Sequence, residues 1–538
     1  MSGSYSYPGI YIQELPSSSH AIVPAPTSIA AFIGYSHPYK TAAFGVAQQL
    51  FSFSDYETYF GGLFSSGLTD ASLPRAVYQF FLNGGSTAWV VGLQPGLFSD
   101  TQTTDKLANR LGPGGLSPTS SAINTTGGGF HFIALEPIDV MPMSVTITNV
   151  RNSNATFDVI VTYGNQVETY RGVTIPVVAN APKPTDPAVM INGVSALINI
   201  APTTSTGYGS ALTTVPVGQI TWTDVTSSLT FDTGYDEGDF LPVFAANSSL
   251  DNVEIFNLLI VPGNTDNAVI SAALAFAERK RAFAIVDPPP QAPAVVGTTT
   301  PPAPIDAWMN AGVGGTTLPM SQNGALYFPY LRSTDPVSGQ IIPMAPSGFV
   351  AGVYAATDAS RGVWKAPAGL ATVLLNTTGP VLSGIMNDPQ QGVLNIDSIN
   401  CLRSFAGTGT VVWGARTLVA KNQAYQQSMY VPVRRMTLFI EQTLLANLRW
   451  VVFEPNDEPL WVAIKSSIEA FLLSLFRQGG LQGSTPSDAF QVKCDSTTTS
   501  PTDQQNGIVN IVVAFAPLKP AEFVVIKIAQ LAGQTAGS

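Results

Sequence analysis

Between Tyr430 and Gly480 the apolar positions recur twice at helical spacing, with a polar break between the two runs. Met436, Phe439, Ile440, Leu444, Leu448 and Val451 fall on one face of a helix. The turn Glu454-Pro-Asn-Asp457 interrupts that stripe, because the residue before a proline is steered away from α geometry. Asp457 then stands where an N-cap accepts orphan backbone N–H groups, and Pro459 sits near the first turn, where its missing N–H costs nothing. Leu460, Trp461, Ile464, Ile468, Phe471, Leu472 and Leu475 make the second stripe, which Gly479-Gly480 ends. The pattern predicts a helical hairpin followed by two strands, Gly507 to Phe515 and Phe523 to Ala529.

The period differs elsewhere. Ile10 to Glu14 reads as one short strand with no partner nearby in sequence, and an unpaired edge must be covered. Thr27 to Gly34 reads as a buried strand ending in glycine. Helical patterns follow at Asp55 to Phe60 and Leu73 to Leu82, then a strand at Ala88 to Gly92. From Thr101 to Asp239 the chain is rich in Gly, Ser and Thr, with strand-like runs at Phe130 to Ala134, Val145 to Val150 and Phe157 to Tyr163. Val253 to Val261, Asp266 to Lys280 and Ala282 to Val286 form a strand–helix–strand unit, which implies parallel strands. The expected fold class is α+β multidomain: an α/β domain (21–99 and 245–385) with a mainly β insertion (100–244). A C-terminal domain of helical hairpin and strands (386–516) follows, with terminal arms at 1–20 and 517–538. Prolines 517 and 520 stiffen a short linker and leave the last strand free to depart from its own body.

Composition changes the picture in one respect. Only 11% of residues are charged, 45% are hydrophobic, and mean hydropathy is +0.21. A typical soluble protein has roughly 25% charged residues. Much of this surface is therefore expected to be covered by copies of the same chain. No apolar run approaches the roughly 20 residues that span a bilayer, and the longest, Ala268 to Ala277, runs straight into Glu278-Arg-Lys-Arg281. Assembly, without direct membrane insertion, is the reading. A net charge of −11 counts against nucleic acid. Yet Arg361 to Arg449 holds eight Lys/Arg (Arg361, Lys365, Arg403, Arg416, Lys421, Arg434, Arg435, Arg449) against Asp388, Asp397 and Glu441. That segment either meets an acidic protein surface or pairs within its own subunit.

Candidate chemistry is sparse. Two cysteines, Cys401 and Cys494, and three scattered histidines give neither a disulfide framework nor zinc spacing. The start of the chain lacks a basic, apolar leader pattern, so synthesis in a reducing cytoplasm is expected. No phosphate-loop, nucleophile-elbow or His-Glu-x-x-His motif occurs. Glu454, Asp457 and Glu458 are explained by the turn and the helix start rather than as an acid/base pair. The acidic run Asp232 to Asp239 lacks EF-hand spacing. No enzyme activity, metal or cofactor is expected.

Several blocks carry a resemblance. FEPNDEPLW (453–461), preceded by YVPVRR (430–435) and CLRSFAGTGTVVWGARTL (401–418), is similar to the C-terminal domain of contractile tail sheath proteins of phage tails and bacterial contractile injection systems. YPGIYIQELP (7–16), TSIAAFIG (27–34) and PSGFVAGVYAATDASRGVWKAPAG (346–369) resemble the same family's N-terminus and middle, in the family's order. The resemblance implies a homo-oligomer of stacked hexameric rings around an inner tube protein, with baseplate and terminal cap proteins as further partners. Such a subunit is made in the bacterial cytoplasm and assembled into a phage tail or injection particle. On that reading Ile10, Tyr11, Ile12 and Glu14, with Phe523, Val524, Val525, Ile526 and Ile528, form strands donated to neighbouring subunits. The hairpin faces the tube, with Arg434, Arg435 and Lys465 as contacts. The alternative is a β-rich adhesin or receptor-binding surface protein using residues 101–242.

Overall fold

The computed structural model describes residues 21–66, 70–94, 123–126, 128–138, 140–175, 184–202, 208–213, 219–222, 237–290, 296–299, 301–311 and 317–527. The chain divides into two compact units, one of residues 26–435 with 519–538, the other of residues 1–25 with 436–518.

The first unit is built on an eight-stranded sheet. Its order is Gly409–Trp413, Ile399–Phe405, Gly324–Phe328, Phe283–Val286, Leu258–Ile260, Ala30–Tyr35, Ala88–Leu93, Ala47–Leu50. The inner six strands are parallel and each outermost strand is antiparallel to its neighbour. Parallel strands are covered on both faces, so they read as unbroken apolar runs; every residue of Ala30–Tyr35, Leu258–Ile260 and Phe283–Val286 is buried. The expected strand–helix–strand unit is present, with Asn267–Lys280 as its helix. Asp266 caps that helix, accepting from the backbone N–H of Ala268 at 2.7 Å.

One boundary differs from the sequence reading. Ile399–Phe405 and Gly409–Trp413, placed by sequence with the C-terminal domain from residue 386, complete one edge of this sheet. Parallel pairing of Leu326 with Ile399 across more than 70 residues leaves no local mark in the sequence.

In its described residues the Gly-, Ser- and Thr-rich insertion is mainly β structure, with strands at the expected runs. Met143–Arg151, Thr156–Tyr163, Gln166–Thr174 and Gln219–Trp222 form one sheet, and Ile123–Thr125, Gly128–Ala134 and Ile198–Pro202 another. They share a core that includes Phe130, Val145, Phe157 and Val161. Buried His37 ties the insertion to the parallel sheet: its Nδ1 accepts from the backbone N–H groups of Tyr39 and Lys40, which leaves the proton on Nε2, 3.1 Å from Glu136. Lys40 pairs with the same carboxylate.

Helix Ser347–Arg361 explains why the 346–369 block carries glycines. It crosses Ser72–Leu82 so closely that a Cβ on Gly348 would lie 2.4 Å from the Ala76 carbonyl oxygen. One on Gly352 would lie 2.7 Å from that of Phe80. Backbone cannot move aside as a side chain can, so Gly348→Ala is expected to cost about 1–3 kcal/mol in urea denaturation. An unchanged midpoint would show that the two helices are not locked together there.

The start of the same helix holds a buried acid. Asp287 accepts from the backbone N–H of Ser347 (2.8 Å) and Gly263 (2.9 Å) and from Ser347 Oγ (2.5 Å). Burial nonetheless outweighs these donors and pushes its carboxyl from 3.8 up to about 6. A raised carboxyl pKa means that the folded chain binds the proton more tightly than the unfolded one. Stability contributed by Asp287 is therefore present below pH 4 and is lost as pH rises from about 4 to 6, on the order of 3 kcal/mol. Asp287→Asn should flatten that part of the stability–pH curve; a curve of unchanged slope would remove the assignment.

In the second unit Val431–Asn447, whose first residues belong to the other unit, and Glu458–Arg477 form the helical hairpin. Leu460, Trp461, Ile464, Ile468, Phe471, Leu472 and Leu475 are buried, as the spacing predicts. Asp457 holds the N-cap backbone position without a capping side-chain bond; neighbouring Asn456 instead accepts from the Trp461 indole at 2.9 Å. By length and composition Glu458–Arg477 is apolar enough to cross a membrane, which corrects the expectation that no segment approaches that limit. Lys465 and Glu469 break the run without lowering its mean hydropathy enough. Its apolar stripe packs into a protein core, with Phe439 and Phe471 6.1 Å apart between ring centres. A two-stranded antiparallel sheet, Phe490–Lys493 with Val512–Phe515, completes the unit.

Candidate inter-subunit site

The two ends of the described chain are held by side chains far away in sequence. At the start, Asn447 forms a reciprocal pair with Val23: Nδ2 donates to the Val23 carbonyl (2.8 Å) and Oδ1 accepts from its N–H (2.9 Å). Thr443, one helical turn earlier, accepts from Ala25 N–H. Ile10, Tyr11, Ile12 and Glu14 lie outside the described residues.

At the other end the expected strand Phe523 to Ala529 is not paired in a ladder over its described part, 523–527; Ile528 lies outside it. Phe523 is 73% exposed, and Val524, Val525 and Ile526 are each 79% exposed. Four consecutive large apolar residues facing water are unstable as a free surface. Directly before them Glu522 is gripped. Arg416 donates to both carboxylate oxygens (2.8 Å each), Asn395 Nδ2 to Oε1 (2.8 Å) and the Tyr430 hydroxyl to Oε2 (3.0 Å). Burial opposes ionisation of Glu522, but Arg416 and Asn395 more than offset it and hold the carboxyl below its usual range.

A receiving surface is present in the second unit. The sheet of Phe490–Lys493 and Val512–Phe515 has two strands and no third among the described residues, and Val512–Phe515 alternates between exposed and part-buried residues, with none buried. Isolated two-stranded ribbons are marginal, and added strands stabilise them.

The basic segment is largely satisfied internally. Arg403 pairs with Asp388 (2.8 Å), Lys421 with Asp397 (3.8 Å), Arg416 with Glu522 and Arg435 with Asp358 (2.6 Å). Of the three expected tube contacts, Arg435 is corrected: it is 3% exposed and fully engaged inside its own unit. Half-buried Arg434 donates to Asn323 Oδ1 (2.9 Å). Lys465 lies on the outer face of its helix, 3.9 Å from Glu469. The sequence reading missed Glu522, Asn395, Tyr430, Thr443 and Asn447, because each works through a partner remote in the chain.

Among the described residues no cluster of three His, Cys, Asp or Glu side chains is placed to hold a metal ion. Asp232 and Asp236 of the acidic run lie outside them. Both cysteines are buried and unpaired, and burial pushes the Cys401 thiol up to about 12.

Comparison with known proteins decides the family. The phage tail sheath protein central domain matches residues 244–418, and the phage tail sheath C-terminal domain matches residues 423–530, together more than half of the chain. The chain belongs to the contractile tail sheath family. A putative prophage major tail sheath protein of Pseudomonas aeruginosa (strain UCBPP-PA14) is 24% identical over 278 residues, which is 51% of this chain and 65% of that protein. The tail sheath protein of Vibrio phage KVP40 is 27% identical over 187 residues, 34% of this chain and 26% of its own. The aligned parts thus span between about a quarter and just under two thirds of these relatives' lengths. The fold of sheath proteins extends over nearly the whole chain. The helical sheath of the anti-feeding prophage in its contracted state gives a TM-score of 0.55 at 21% identity, covering 98% of this chain and 100% of its own. The contracted sheath complex of an extracellular contractile injection system, PVC, gives 0.56 at 20%, covering 98% and 99%. Nothing in these comparisons supports an adhesin.

Proposed function

We propose that this chain is the structural subunit of a contractile sheath: it polymerises as stacked rings around an inner tube and shortens to drive that tube through a target envelope. Within the family, two observations carry this reading: the apolar segment Phe523–Ile526 is exposed and in no strand, and the sheet at 490–493 and 512–515 has only two strands among the described residues. The C-terminal segment of one subunit, and Ile10–Glu14 of another, add strands to that sheet by main-chain hydrogen bonding. Connectivity then survives while subunits rotate and slide. The β insertion at 100–244 points away from the tube. Lys465 and Arg434 face it, and baseplate and cap proteins close the ends of a particle assembled in the producing cell. Contraction draws on larger or better-packed interfaces in the short state, the long state being kinetically trapped.

Electron microscopy of the full chain, alone and with its inner tube protein, tests the proposal. Hollow cylinders alone and longer, thinner ones around the tube are expected; compact monomers under both conditions would sink it. Lys465→Glu should lower co-sedimentation with the tube while leaving tube-free cylinders intact. Unchanged co-sedimentation would remove Lys465 from that surface.

A further inference from the structure

We propose that the Glu522 clamp is the fixed root of the C-terminal arm and sets the register at which Phe523–Ile526 enters a neighbouring copy of this chain. The inference rests on the strand-exchange reading and names what controls it.

Three segments converge on one carboxylate. Asn395 comes from the end of helix Asp388–Ile396, Arg416 follows strand Gly409–Trp413, and Tyr430 precedes helix Val431–Asn447. Arg416 also donates from Nη1 to the Asn395 carbonyl (2.8 Å), so the guanidinium is itself held in place. The two charged side chains are only 11% and 20% exposed. A lone exposed ion pair does little, but a bidentate, part-buried one with two further donors fixes its residue strongly. Glu522 is therefore a point, not a hinge. Pro517 still bridges to Leu481, and Lys519 to Ala521 between the two anchors form no strand. After Glu522, four apolar side chains are exposed in succession.

Register follows from this placement. In a strand, side chains alternate between faces, so a slip of one residue exchanges the faces. Rooted at Glu522, Phe523 and Val525 share one face and Val524 and Ile526 the other. Displaced by one residue, Phe523 takes the face of Val524 and Ile526 takes the position meant for Lys527. A chain rooted earlier, at the prolines, would have slack to correct such an error. One rooted at Glu522 has none.

The test inserts a single glycine at two places in the full-length subunit and measures pelletable polymer by sedimentation and microscopy. Insertion between Glu522 and Phe523 is expected to reduce polymer about ten-fold or more, whereas insertion between Leu518 and Lys519 leaves it nearly unchanged. Equal tolerance of the two insertions, or equal loss, overturns the proposal. Glu522→Gln supplies an independent reading: limited tryptic cleavage at Lys527 of the unassembled subunit should quicken, and an unchanged cleavage rate overturns the clamp. A chain ending at Glu522 separates the two levels of the argument. If it assembles normally, strand exchange itself fails; if it does not assemble while both insertions do, only the register-setting clamp fails.

Discussion

A chain ending at Glu522 is expected to fold normally and to form no sheath. The deletion removes residues 523–538 and leaves the Glu522 clamp intact. Side chains as exposed as Phe523 to Ile526 contribute little to their own subunit, so its unfolding free energy should change no more than for a surface substitution, within about 0.5 kcal/mol. On assembly each apolar side chain of this kind gains about 1.5–3 kcal/mol when buried, besides main-chain pairing. Losing four of them from every subunit lowers the association constant by several powers of ten, at about 1.4 kcal/mol per decade. A polymer that repeats the contact in every copy has no way to compensate. Microscopy should show dispersed subunits, and sedimentation no pelletable material. Cylinders of normal length from the shortened chain would remove the arm from the assembly altogether.

How far the sequence carried depends on whether the deciding interaction is local. The hairpin was legible because helical spacing repeats every three to four residues; the buried stripe from Leu460 to Leu475 is the predicted one. The strand–helix–strand unit around Asn267–Lys280 was legible for the same reason. Pairing partners were not. The apolar run Ile399–Phe405 signals a strand, but nothing in it names Gly324–Phe328 as its neighbour. The arm residues Phe523 to Ile526 stood out by composition, whereas their anchor Glu522 looked like an ordinary charge, since its partners lie 92 to 127 residues away. The glycine pair at 348 and 352 was available as a signal. Small residues four apart on a helix permit close backbone approach, and the structure uses them that way.

Charge counting showed the same limit with a sharper consequence at Arg435. Net basicity between Arg361 and Arg449 allowed either an outward face or internal pairing, and Arg435 takes the second course. Its guanidinium meets Asp358 fork to fork, at 2.9 Å and 2.6 Å, with the two side chains 3% and 2% exposed. Nη2 also donates to the Thr27 carbonyl at 2.9 Å, just ahead of strand Ala30–Tyr35, and the group lies 4.8 Å from the centre of the Tyr354 ring. Arg435→Ala is therefore expected to destabilise the larger unit by about 3–5 kcal/mol, because it strands a buried carboxylate and orphans a carbonyl. Removing both charges, as Arg435→Met with Asp358→Leu, should recover most of that loss. Urea denaturation followed by circular dichroism measures both. An Arg435→Ala midpoint within error of the parent would show that the pair holds nothing together. Reversing the charge at Arg435 would abolish binding by unfolding the unit, so only variants at positions such as Lys465, tested on subunits that still melt normally, report on the surface that meets the tube.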